Sequence, residues 1–172
     1  MRPTATLCAA AFAASFAAHA ELSVAVDAPD VRVVAPNLPA VKMEVHPQHD
    51  KARYMRLLGS EGPYTFVLVT PTADAGMKAE DCANFIAENL PKRPGAPTQE
   101  GIYKTRLDPN TYMAMYVTRL PEGKLLLNAH LLSSGSGNHC VEFVASKEVG
   151  SKDEAAPWFK SFAGARIETV AK

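Results

Sequence analysis

Two cysteines constrain this chain more than any other feature. Cys82 and Cys140 bracket a stretch dense in β-forming residues, while a third, Cys8, lies near the N-terminus. The N-terminal stretch reads as an export signal. Arg2 supplies a short positive region, residues 5–18 form an apolar run, and Ala18-His19-Ala20 has the Ala-x-Ala cleavage pattern. The run is too short and too rich in alanine to span a bilayer, and it lacks the polar face of an amphipathic helix. Too little chain precedes Cys8 to form the apolar segment that a lipoprotein signal needs. Cleavage after Ala20 would remove Cys8 and deliver the remainder to the periplasm or the outside, where the two surviving cysteines are expected to pair. Their bond would close a loop of nearly sixty residues, worth about 3–4.5 kcal/mol on the loop-entropy account. A redox pair would instead favour a close Cys-x-x-Cys, which is absent.

The 172 residues suffice for one domain with a core of its own. Lysine plus arginine and aspartate plus glutamate both number 18, so the basic excess of a nucleic-acid binder is missing. The expected division is a signal at 1–20, an extended Pro-rich tail at 21–50 and a single domain at 51–172. In the tail, Pro29, Pro36, Pro39 and Pro47 exclude helix and suit at most an edge strand, while its valines favour partial docking.

Within the domain, residues 54–58 and 64–70 read as strands separated by a Gly-Pro turn. The second has apolar residues at both parities and should be covered on both faces. Cys82, Phe85, Ile86 and Leu90 form one stripe of a helix over 78–90, with Glu80 and Asp81 in its first turn and Pro91 stopping it. Four strands follow, at 102–107, 111–120, 124–133 and 139–146, joined by short turns and therefore an antiparallel meander. Trp158, Phe159, Phe162 and Ala163 mark a last short helix, with Pro157 in its first turn and Gly164 ending it. The fold class is α+β: an antiparallel sheet of about six strands and two helices, in the form of a three-layer α/β/α sandwich if a helix covers each face. This element order is similar to that of the photosystem II PsbP proteins, a likeness of order alone with no shared motif behind it.

No nucleophile elbow, phosphate loop, zincin helix or dinucleotide fingerprint is present. Gly135-Ser136-Gly137 is a hairpin turn without the helix that a phosphate site requires. If Ser133 lies opposite His139, then His130 faces Glu142 on one side of the meander. A tight turn at Pro121-Glu122 would add Met113 beside His130 and Met115 beside Asn128. Thioether and imidazole together suit Cu(I), against the plainer reading of core methionines and a satisfied His–Glu pair. Met43, His46, His49 and Asp50 make a second, looser donor group in the tail. Tyr103, Tyr112, Tyr116 and Arg119 have the composition of a protein-recognition surface. The expected function is that of a small exported, disulfide-stapled binding or accessory protein for an unidentified protein or envelope partner, with no cofactor, no chemistry of its own and no membrane span. The alternative is a copper-binding protein using Met113, Met115 and His130.

Overall fold

The structure, a computed structural model, describes residues 21–24, 30–39, 43–45, 56–135 and 138–170. The expected signal, residues 46–50 of the looser donor group and the start of the strand at 54–58 lie outside them. In chain order the elements are β1 (Glu21–Val24), β2 (Asp30–Val34), β3 (Glu44–Val45), β4 (Arg56–Glu61), β5 (Tyr64–Val69), α1 (Ala79–Asn89), β6 (Tyr103–Asp108), β7 (Thr111–Arg119), β8 (Leu125–Ser134), β9 (Cys140–Val149), α2 (Ala155–Lys160) and β10 (Arg166–Val170). Short 3₁₀ turns follow α1 at Leu90–Lys92 and precede α2 at Lys152–Glu154.

Six strands form the main antiparallel sheet in the order β4-β5-β9-β8-β7-β6, and the two-residue β3 extends its β4 edge. The fold is thus α+β with a meander in its second half, as the pattern of turns implies. The β4–β5 hairpin turns at Gly62 (φ 57°) and Pro63. Glycine tolerates the positive φ at the first position, and proline is already set for the negative φ at the second. Because β5 pairs with β9, its connection to β6 must cross three strands. α1 makes that crossing, over β9, β8 and β7.

α1 buries Ala79, Cys82, Ala83, Ile86 and Ala87, and Leu90 continues the row after the helix proper. These positions run i, i+3, i+4, i+7, i+8, i+11, a single helical stripe. Phe85, assigned to that stripe from sequence, is instead 43% exposed. The small alanines define the contact face because they let the helix approach the sheet, and this rotates the larger phenylalanine to the margin. At the start of the helix the Asp81 carboxylate accepts the Lys78 backbone N–H at 3.0 Å, satisfying one of the first-turn donors that has no partner within the helix.

The opposite face of the main sheet carries the larger core. Phe66, Leu68, Leu127, Leu131, Val141 and Phe143 pack there against Trp158 and Phe162, around α2, and against Val33 and Ile167. Val33 and Ile167 belong to a second antiparallel sheet, β1-β2-β10. The outer layer on this side is therefore mixed, a short helix beside a three-stranded sheet, rather than the helix layer of an α/β/α sandwich. Part of the segment expected as a tail supplies it. Val33, Ala35 and Leu38 are all buried, so Pro36 and Pro39 punctuate a docked segment.

Candidate binding site

Residue parity along β7, β8 and β9 decides which side chains meet, because alternate residues point to opposite faces. His130 lies opposite Val144 and Leu132 opposite Glu142, a register shifted by two from the expected one. A shift of two preserves the face. His130 and Glu142 meet diagonally under α1, with His130 Nδ1 2.8 Å from Glu142 Oε1.

The β7–β8 turn differs by one residue, and that reverses the faces. Pro121, Glu122 and Gly123 form a three-residue turn with Gly123 at φ 77°, the kind of loop closed by a glycine in the left-handed region. Ala114 consequently pairs with His130, Met113 with Leu131 and Met115 with Ala129. Met113 and Met115 therefore project from the face opposite His130, and the expected ligand set is not assembled. The methionines pack with the larger core.

The tyrosine-rich surface also divides. Tyr112 is buried beneath α1, with Arg106 over its ring. Tyr116 shares that face and stacks on His130 at 5.3 Å between ring centroids. Tyr103 and Arg119 are exposed but project from the other face. The four residues form no common patch, again because their parities differ.

One chain of polar contacts runs under α1. Glu142, 2% exposed, accepts two hydrogen bonds from Arg93, at 2.7 Å from Nη1 and 2.9 Å from Nη2. His130 holds the same carboxylate through Nδ1, and its Nε2 lies 3.3 Å from the Tyr116 hydroxyl. Burial alone would raise the Glu142 pKa, but the hydrogen bonds and charges of His130 and Arg93 overcome it and hold the group down at about 2. For Arg93, partial burial opposes the charge and Glu142 more than restores it, so its pKa is raised. Burial raises the Tyr116 phenol. At neutral pH the carboxylate thus stays ionised, and the phenol and guanidinium stay protonated.

A second polar row, toward the other end of β8, links Ser146 to Asn128 at 2.8 Å, Asn128 to Thr118 at 3.3 Å and Thr118 to the Gly95 carbonyl at 3.0 Å. It anchors the loop that carries Arg93. Above Glu142 lies an open cleft of about 480 Å3 lined by Val69, Pro71, Phe85, Ile86, Asn89, Arg93 and Glu142. The Cys82–Cys140 disulfide joins α1 to the start of β9 with 5.5 Å between Cα atoms. It therefore ties together the two elements that supply Phe85 and Ile86 on one wall and Glu142 on the floor.

Sequence reasoning missed Arg93. The available signal was a carboxylate in the otherwise apolar run Cys-Val-Glu-Phe-Val-Ala of β9, which requires a buried partner. Nothing in that run identifies which distant cation provides it.

Among the described residues no helix is long and apolar enough to cross a membrane. The chain matches no protein-family model and no curated protein.

Proposed function

We propose that this is an exported, disulfide-stapled binding or accessory protein that recognises a protein or envelope component through the cleft between α1 and the main sheet, without chemistry of its own. The observation that supports binding over catalysis is the polar chain beneath the cleft. Glu142 is held ionised and the Tyr116 phenol protonated at neutral pH, while Phe85 and the Arg93 guanidinium remain open to solvent above them. Rigid apolar surface beside a held cation favours recognition. The N-terminal signal pattern and the disulfide support export.

Native mass spectrometry of the protein recovered from its own compartment tests this reading. A chain beginning at Glu21 that retains an added mass, lost in a Phe85→Asp variant, is the expected result. A chain still beginning at Met1 would overturn export, and a bare chain would count against a retained ligand. An added mass matching copper would return the soft-metal alternative. A photo-crosslinker at position 85 extends the test to a partner that dissociates. Adducts at 85 but not at exposed Tyr103 are expected, and equal yields at both would remove the cleft from the proposal.

A further inference from the structure

The cleft differs from an ordinary surface depression in how its one accessible charge is prepared. Arg93 presents five N–H donors, of which Glu142 takes one from each Nη. Among the described residues no partner takes Nε–H or the second hydrogens of the two Nη atoms, and the side chain is 42% exposed. The outer edge of the guanidinium is thus a second two-pronged donor, held in place by a carboxylate that is itself locked by His130. That geometry matches the two oxygens of a carboxylate.

The charges agree with an anion. Glu142 offsets the Arg93 charge from beneath, but its oxygens are almost wholly covered, so the polar atoms that this pair presents to solvent are the guanidinium's donors. Lys92 adds a second cation at the rim, donating to Asn89 Oδ1 at 2.8 Å. The remaining walls are apolar, made by Val69, Pro71, Phe85 and Ile86.

The lining also limits the size of the ligand. A peptide needs polar partners along its backbone, and the one carboxamide here, Asn89, has a single Nδ2 hydrogen and a single Oδ1 lone pair left to offer. Its Nδ2 donates to the Phe85 carbonyl at 2.7 Å and its Oδ1 accepts from Lys92. One anionic head group and one apolar body are what the cleft can satisfy. Its volume is within the range of roughly 300–1,000 Å3 that holds small ligands.

We propose that this cleft binds a small amphipathic carboxylate, its head group on the outer edge of Arg93 and its apolar body against Phe85 and Val69. The inference rests on the cleft being a binding site, as proposed above, and narrows its ligand from a protein or envelope component to a small carboxylate.

Octanoate, octanamide and acetate, titrated into the protein and followed by backbone amide NMR and calorimetry, test both levels. Octanoate is expected to shift the amides of Phe85, Ile86 and Arg93 and to bind roughly ten- to a hundred-fold more tightly than octanamide, the effect of charge-assisted hydrogen bonds. Acetate, lacking the apolar body, should bind more weakly still. Phe85→Ser and Arg93→Lys should each weaken octanoate by roughly ten-fold. Neither removes a buried side chain or the cation that pairs with Glu142, so both variants should fold. Equal binding of octanoate and octanamide at Phe85 would overturn the carboxylate assignment and leave the cleft a binding site. Absence of shifts at Phe85, Ile86 and Arg93 with every probe would overturn the carboxylate inference, whereas the cleft itself is overturned by equal crosslinking at positions 85 and 103. A peptide ending in an apolar residue that bound more tightly than octanoate would overturn the restriction to small ligands.

Discussion

Beneath α1 the main sheet combines a disulfide, a buried carboxylate, an imidazole, a guanidinium and a phenol with a modest apolar cluster of Ile86, Leu90, Ala114 and Leu132. Beneath α2 and the three-stranded sheet the same strands present aromatic and aliphatic side chains. Phe66 stacks on Phe143 at 5.7 Å and Trp158 meets Phe162 edge-on at 5.1 Å. The second face excludes water mainly by volume, with one buried hydrogen bond from the Ile167 N–H to Thr111 Oγ1 at 3.0 Å. The first is held by specific bonds whose partners must all be present, since an unpaired group there is costly. A protein that needs a fixed cation beside an open cleft has reason to build one face this way and to place most of its burial on the other.

Removing volume should hurt most on the apolar face. Phe143→Ala is expected to cost about 3–5 kcal/mol in denaturant unfolding, because the cavity lies between rings that cannot collapse into it. A loss below about 1 kcal/mol would mean that the two faces contribute alike. Removing the staple acts on the face under α1. With its cysteines 58 positions apart, the bond should contribute about 2–4 kcal/mol, lost in a Cys82→Ala/Cys140→Ala double variant. A double variant that melts with the parent would place the coupling of α1 to β9 elsewhere.

Acid should distinguish the faces by mechanism. Glu142 titrates at about 2 in the folded protein, against an ordinary value of 4.5. A folded pKa below the unfolded one stabilises above the unfolded value, and that stability is lost as pH falls from about 4.5 through about 2. The expected loss is about 2–3 kcal/mol, read from denaturation midpoints across that window. A His130→Leu/Glu142→Leu double variant should abolish this acid sensitivity while remaining within about 1 kcal/mol of the parent at neutral pH, since apolar replacements of a buried ionic pair are often neutral. Persistence of the acid transition would exclude Glu142 as its source. Tyr116→Phe should cost least, about 1 kcal/mol, through loss of the hydroxyl partner of His130 Nε2. If the stacked ring suffices by itself, thermal melts will show no change.

Local pattern in the chain indicated the strands, the hairpins and both helices, and the cysteine count in a chain with an export pattern indicated the disulfide. These rest on short-range chemistry: alternation of apolar residues, turn formers, a helix stopped by Pro91, and an even number of thiols. The second sheet did not show in this way, because β10 is five residues long and its partner β2 lies among prolines. Its stability comes from packing of Val33 and Ile167 on the main sheet, which no local window contains.

The site was legible only in part, and parity explains the division. His130 and Glu142 were paired correctly despite a misplaced register, because an error of two residues leaves both on the same face. Met113 and Met115 were misplaced because Gly123 adds one residue to the turn, and an error of one exchanges the faces. The choice of Arg93 as the cation for Glu142, across 49 positions of sequence, and the turning of Phe85 out of the helix stripe were decided by tertiary structure alone. Both depend on how closely an alanine-lined helix approaches the sheet, a distance set by the packing of all the strands beneath it.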